Sequence, residues 1–197
     1  ALHQTSDWSL LDHHGLNADE IAYLADFARG FELPLTLCDV DNYYVVDQTA
    51  NAHIIEDTQN IFLTPKTISL EETRDHHQPF FLAKFVGRPS LVEAFLKEED
   101  AKLSQSFNTV LSQPSIYETL PQGVSKATAL QSLAERLGLL PSEIMAIGDA
   151  NNDREMLEFA GLAIAMDNAS APIKALANHV TSSNNEDGVA AAIYKWI

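Results

Sequence analysis

Between about residues 115 and 197, short apolar runs alternate with segments whose apolar residues recur at helical spacing. The runs are residues 116–120, 144–147, 162–166 and 179–181. The helical segments are 125–137, 152–160, 171–177 and 186–196, the first two closed by Gly138 and Gly161. Short, fully apolar strands that take turns with helices predict a parallel sheet covered on both faces. In such sheets ligands bind beyond the carboxyl ends of the strands. That rule directs attention to Gly148-Asp149 and to the loop after Met166.

Residues 1–114 follow a different order. Residues 8–11, from Trp8, read as a strand. Asn17 is a helix N-cap with Glu20 as its capping-box partner. Ile21, Leu24, Ala25 and Ala28 then share one helix face, ending at Gly30. Residues 33–38 and 43–46 read as strands around the turn Asp39-Val40-Asp41-Asn42. Residues 50–61 read as a helix, and 80–86 and 107–111 as strands. Pro89 suits the first turn of a helix that places Leu91, Val92, Phe95 and Leu96 on one face. Hairpin-like connections among mixed elements predict an α+β layer. The chain is therefore α/β overall, divided into 1–114 and 115–197.

Composition narrows the class of function. Of 197 residues, 46% are hydrophobic and 20% charged, enough to bury a core. Twelve Lys and Arg against 28 Asp and Glu leave a formal net charge of −16, with no basic cluster. Nucleic acid and anionic membrane surfaces are set aside as main partners. No apolar run approaches the roughly 20 residues needed to span a bilayer, and no export signal is visible. The single cysteine, Cys38, can form no internal disulfide. The expected location is cytoplasmic.

The sharpest motif is Ile144-Met145-Ala146-Ile147-Gly148-Asp149-Ala150-Asn151-Asn152-Asp153. An apolar strand delivers Asp149 at its carboxyl end, Gly148 permits close backbone approach, and Asp153 follows at the start of the next helix. Two carboxylates at a strand tip suit a hard cation, Mg²⁺ in particular. Asn152 adds an amide able to donate to an anion. The alternative at this level is that both carboxylates cap the helix. Lys126, in Gln122-Gly123-Val124-Ser125-Lys126-Ala127, opens a helix just after a strand and could hold a phosphate as a point charge. Alone, it reads more readily as a solvated helix lysine.

Lys126, the Gly-Asp-x-x-Asn-Asp strand end, Gly161-Leu162-Ala163-Ile164-Ala165-Met166-Asp167-Asn168-Ala169 and Ser183-Asn184-Asn185-Glu186-Asp187-Gly188-Val189 occur in series. This series resembles the C-terminal part of the haloacid dehalogenase (HAD) superfamily, in its Cof-type sugar-phosphatase branch. The resemblance is close over residues 116–197 and traceable over 1–114, which look like that branch's α/β, C2-type cap. It implies the C-terminal portion of a Rossmann-like core, with Mg²⁺-dependent hydrolysis of a small phosphorylated metabolite through an aspartyl-phosphate. By the same resemblance Lys126 would hold the transferring phosphoryl group, Asp149 would ligate Mg²⁺, Asn152 would contact phosphate, and Asp153 would support the metal.

The family's nucleophile motif, an apolar strand followed by Asp-x-Asp-Gly-Thr, is not found where the pattern expects it. The chain resembles a Cof-type protein without its first third, and the fragment alone is expected to be inactive. Asp39-Val40-Asp41 imitates the motif, but Asn42-Tyr43 replaces Gly-Thr and residues 43–46 read as a hairpin return, which parallel sheets do not make. Asp39 and Asp41 are therefore expected in a cap turn. His13-His14 and His76-His77 are expected at the surface, Trp8 and Trp196 in packing, and Met145, Met156 and Met166 in the core. By the resemblance, the absent strand would lie beside the one ending in Asp149. The chain is thus expected to self-associate or to pair with a separate N-terminal segment. The competing reading is a non-catalytic module that binds a phosphorylated ligand or a protein.

Overall fold

The structure is a computed structural model and describes residues 2–3 and 10–197. Trp8 lies outside the described residues. The chain divides into two compact units, Ala1–Val124 and Ser125–Ile197.

In the first unit β1 (Leu2–His3) and β2 (Leu10–Asp12) pair antiparallel. Helix α1 (Ala18–Phe31) begins at the expected cap: Asn17 Oδ1 accepts from Asp19 N and Glu20 N, and Glu20 Oε2 accepts from Asn17 N at 2.8 Å. It runs past Gly30 and closes on Glu32, whose φ of 53° is left-handed. A six-stranded sheet follows, made of β3 (Leu35–Cys38), β4 (Tyr43–Val46), β5 (Lys66–Ile68), β6 (Leu82–Val86), β7 (Phe107–Gln113) and β8 (Ile116–Pro121). Its order is β5-β4-β3-β6-β8-β7. Helix α2 (Ala52–Asn60) lies between β4 and β5, which pair in parallel. The other neighbours are antiparallel.

Side chains alternate across these strands. Leu35, Leu37, Ala83, Phe85 and Tyr117 pack with Ile21, Leu24 and Phe27 of α1 and with Val92 and Phe95 of α3 (Pro89–Leu103). Leu91 and Leu96 cover the edge of the same core. Tyr43, Val45, Val86 and Ile116 pack with Ile54 of α2 instead. Helices on both faces explain why the pattern of β4 reads as buried throughout.

The alternating pattern makes residues 116–120 the first strand of the parallel sheet, with the boundary at 114, and the structure differs. They form β8, which returns antiparallel from β7 and also pairs with β6, Phe85 opposite Tyr117. The boundary therefore falls between Val124 and Ser125. A tight turn after Gln113 forces an antiparallel return, whereas apolar content alone does not say which sheet a strand joins.

The second unit carries a three-stranded parallel sheet, β11-β10-β9, of β9 (Met145–Gly148), β10 (Leu162–Ala165) and β11 (His179–Val180). Its helices are α4 (Lys126–Leu137), α5 (Arg154–Phe159), α6 (Ala171–Leu176) and α7 (Gly188–Trp196). Ser125 caps α4, and Gly138 closes it at φ 68°. Ala146, Ala163 and Ala165 pack with Leu157 of α5 and Ile173 of α6. The small strand residues let the helices approach closely. Met166 is buried and Met156 packs on the core, but Met145 and Ile147 of β9 are only half-buried. The expected helix 152–160 is divided into a 3₁₀ turn, Asn151–Asp153, and α5.

Candidate functional site

The division of that helix builds the site. Asp153 is 4% exposed, and its carboxylate is turned back under the loop. Oδ2 accepts from Asp149 N at 3.0 Å and from Ala150 N at 3.1 Å. Oδ1 accepts from Lys126 Nζ at 2.5 Å. Burial opposes the charge on Asp153. The Lys126 ammonium and the two backbone N–H groups outweigh it and hold the carboxyl below its ordinary range. Gly148 is required by this geometry: a Cβ there would sit 2.5 Å from Asp153 Cβ.

Asp153 thus draws Lys126, at the start of α4, to the carboxyl end of β9. Asp149 stands exposed at that tip. Its Oδ2 accepts from Asn168 Nδ2 at 2.7 Å. Asn152 is half-buried, and its Oδ1 has no hydrogen-bond partner among the described residues. Lys126, Asp149, Asn152 and Asp153 are accordingly gathered at one strand end. The helix-cap alternative accounts for part of what Asp153 does and leaves Asp149 unexplained.

This donor set fits Mg²⁺. Among the described residues no group of three or more His, Cys, Asp or Glu side chains converges. Mg²⁺ needs no such cage, because it keeps several waters and takes one or two carboxylates. Asp149 offers a carboxylate, and the orphaned Asn152 Oδ1 is a hard oxygen. Asp153, with both oxygens engaged, suits a supporting position.

The other sequence candidates lie in the first unit. Asp39 opens the β3–β4 turn, accepting at Oδ1 from Asp41 N and Asn42 N and at Oδ2 facing His76 Nε2 at 3.0 Å. Burial works against its charge too, and these donors prevail, so its carboxyl is held low. The turn belongs to an antiparallel hairpin, as the replacement of Gly-Thr predicts. His76 corrects the reading of a surface histidine: it is only 20% exposed and stacks on Phe80. His13, His14 and His77 are exposed. Trp196 stacks on His179. Burial pushes the Cys38 thiol up to about 12, so it is protonated and unreactive at neutral pH. A buried network sequence reading missed joins Lys84 Nζ to Asp57 Oδ2 at 3.0 Å and the Tyr43 hydroxyl to the same oxygen at 3.0 Å.

The family model for haloacid dehalogenase-like hydrolases matches residues 1–193. The chain belongs to this family. YxeH of Bacillus subtilis strain 168, named as a candidate phosphatase, is 31% identical over 185 residues, covering 92% of this chain and 67% of that protein. YcsE of the same organism, named 5-amino-6-(5-phospho-D-ribitylamino)uracil phosphatase, is 38% identical over 99 residues, 50% of this chain and 40% of YcsE. A haloacid dehalogenase-like hydrolase from Bacteroides thetaiotaomicron superposes with a TM-score of 0.84 at 27% identity, over 98% of this chain and 71% of that one. The chain thus spans from well under half to about two thirds of these curated relatives.

Proposed function

We propose that this chain is the cap and the C-terminal core portion of a Mg²⁺-dependent phosphatase acting on small phosphate esters, sugar phosphates among them. The observation that carries the reading is the Asp153 anchor. One buried carboxylate sets the Lys126 ammonium beside the loop that presents Asp149. Phosphoryl transfer asks chiefly for positioning and charge neutralisation, and these residues supply both.

In this reading Lys126 is the point charge for the transferring phosphoryl group, aimed by Asp153. Asn152 bonds a phosphate oxygen. Asp149 holds Mg²⁺, with Asp153 supporting it. Bound there, Mg²⁺ would share the phosphate and neutralise charge developing on it. The six-stranded unit selects the leaving group. The phosphorylated ribityl chain in YcsE's name supports a polyol phosphate as the substrate class. Attack by the family's aspartate belongs to an Asp-x-Asp-Gly-Thr motif that these 197 residues do not contain. The β9 edge, which pairs only with β10 among the described residues, is the surface for self-association or for a further segment.

The test uses the gene product that carries this sequence and a panel of phosphate esters. Hydrolysis is expected only with Mg²⁺, and Asp149→Asn or Lys126→Ala lowers kcat/KM by about 10²–10³-fold. Undiminished turnover after chelation, or in Asp149→Asn, overturns the reading. The 197-residue chain alone is expected to leave p-nitrophenyl phosphate intact. Turnover that disappears in Asp39→Asn would move the nucleophile to the hairpin.

A further inference from the structure

Asn168 lies between β10 and α6, and its side chain reaches two other loops. Nδ2 donates to Asp149 Oδ2 at 2.7 Å, in the loop after β9. Oδ1 accepts from Asn184 N at 3.0 Å, in the loop after β11. Its own loop is fixed on both sides. Met166 N donates to Gly148 O at 2.9 Å, the buried Ala169 donates its N–H to Met166 O at 3.0 Å, and Lys174 Nζ reaches Asp167 Oδ1 at 2.9 Å. An Asn that only shapes a turn bonds its own backbone. This one connects the loops after all three parallel strands.

The geometry points to Asn168 as a positioning residue for the divalent cation. By holding Oδ2 it stops the exposed Asp149 carboxylate from rotating and leaves Oδ1 to face the ion. Through Asn184 it ties the loop after β11 to the same carboxylate. Outer partners of this kind typically change metal affinity by about 10–100-fold. The inference rests on the reading of Asp149 as the metal ligand, and goes beyond it by naming the residue that aims the ligand and the loop that responds.

The test is a Mg²⁺ titration of the isotopically labelled 197-residue chain followed by NMR, with affinities from the shifts. In the wild type, Mg²⁺ moves the Asp149 and Asn184 amide resonances, and Asp149→Asn abolishes both responses. Asn168→Ala weakens Mg²⁺ binding by about 10–100-fold and uncouples Asn184, whose resonance then stays still at saturation, while the metal-free thermal midpoint is unchanged. Asn168→Ser, too short to span both loops, carries the same expectation if the alanine variant is unstable. Equal Mg²⁺ binding by wild type and Asp149→Asn overturns the metal-ligand reading and this inference with it. Loss of binding in Asp149→Asn alongside wild-type affinity and a responding Asn184 in Asn168→Ala leaves that reading standing and overturns this inference alone.

Discussion

Removing Lys84 or Asp57 should cost more stability than removing Lys126 or Asp149 of the strand-tip site. Both are under 10% exposed and lie 3.0 Å apart. Truncating one partner leaves the other charge buried. Asp57→Ala is expected to lower unfolding free energy by about 3–5 kcal/mol, read from urea denaturation. Replacing both, as in Lys84→Met with Asp57→Leu, should restore much of that loss. Lys126 and Asp149 behave oppositely because Lys126 is half exposed and Asp149 is exposed. Substitution there should alter ligand binding far more than folding. Of these side chains, Asp149, Asn152 and Asp153 stand out in sequence because a Gly-Asp at the end of an apolar run carries its own geometric meaning, whereas Lys126 stands out only through the family resemblance. Asn168 and the Lys84–Asp57 pair do not. Asn168 touches Asp149 from another crossover, and Lys84 meets Asp57 across 27 residues of chain. No local pattern encodes either meeting.

Two elements depend on single backbone-scale features. Asn17 takes two otherwise unpaired N–H groups of α1. Asn17→Ala should therefore cost about 1 kcal/mol, measured by denaturant midpoint, and Asn17→Asp should restore it. Gly161 sits where a Cβ would meet Ser142 Cα at 2.5 Å and Pro141 O at 2.6 Å. Those neighbours are backbone and cannot swing aside. Gly161→Ala should separate β10 from the turn before β9 and lower the thermal midpoint of the second unit. The sequence marked Gly161 as a helix stop, but its close approach became visible only when residues 141–143 were placed against it.

For the whole molecule, acid is the informative variable. The carboxyls of Asp39 and Asp153 are both held below their unfolded value. A depressed folded pKa adds stability that is present at neutral pH and fades as pH falls through the folded value. The loss should come below about pH 4. Denaturation free energies measured between pH 7 and 2.5 should show that limb, and Asp39→Asn should flatten it. The β9 edge, which pairs only with β10 among the described residues, carries another whole-molecule expectation. Size-exclusion chromatography with light scattering should find the isolated chain above the 21.7 kDa of one copy, and a lysine placed at Met145 should reduce that association. No helix among the described residues is long and apolar enough to cross a membrane.

Local chemistry in the chain determined the helices and their caps, the β3–β4 hairpin, the alternation that makes β9, β10 and β11 parallel, and the strand end that bears Asp149. Each of these follows from residues within a few positions of one another, through spacing, turn geometry and side-chain period. Tertiary structure alone decided that β8 joins the first sheet, that Asp153 turns inward to hold Lys126, and that Asn168 meets Asp149. Those outcomes depend on which surfaces pack and which buried polar atoms find partners. Such free energies arise between segments far apart in sequence, and they exist only once the chain has folded.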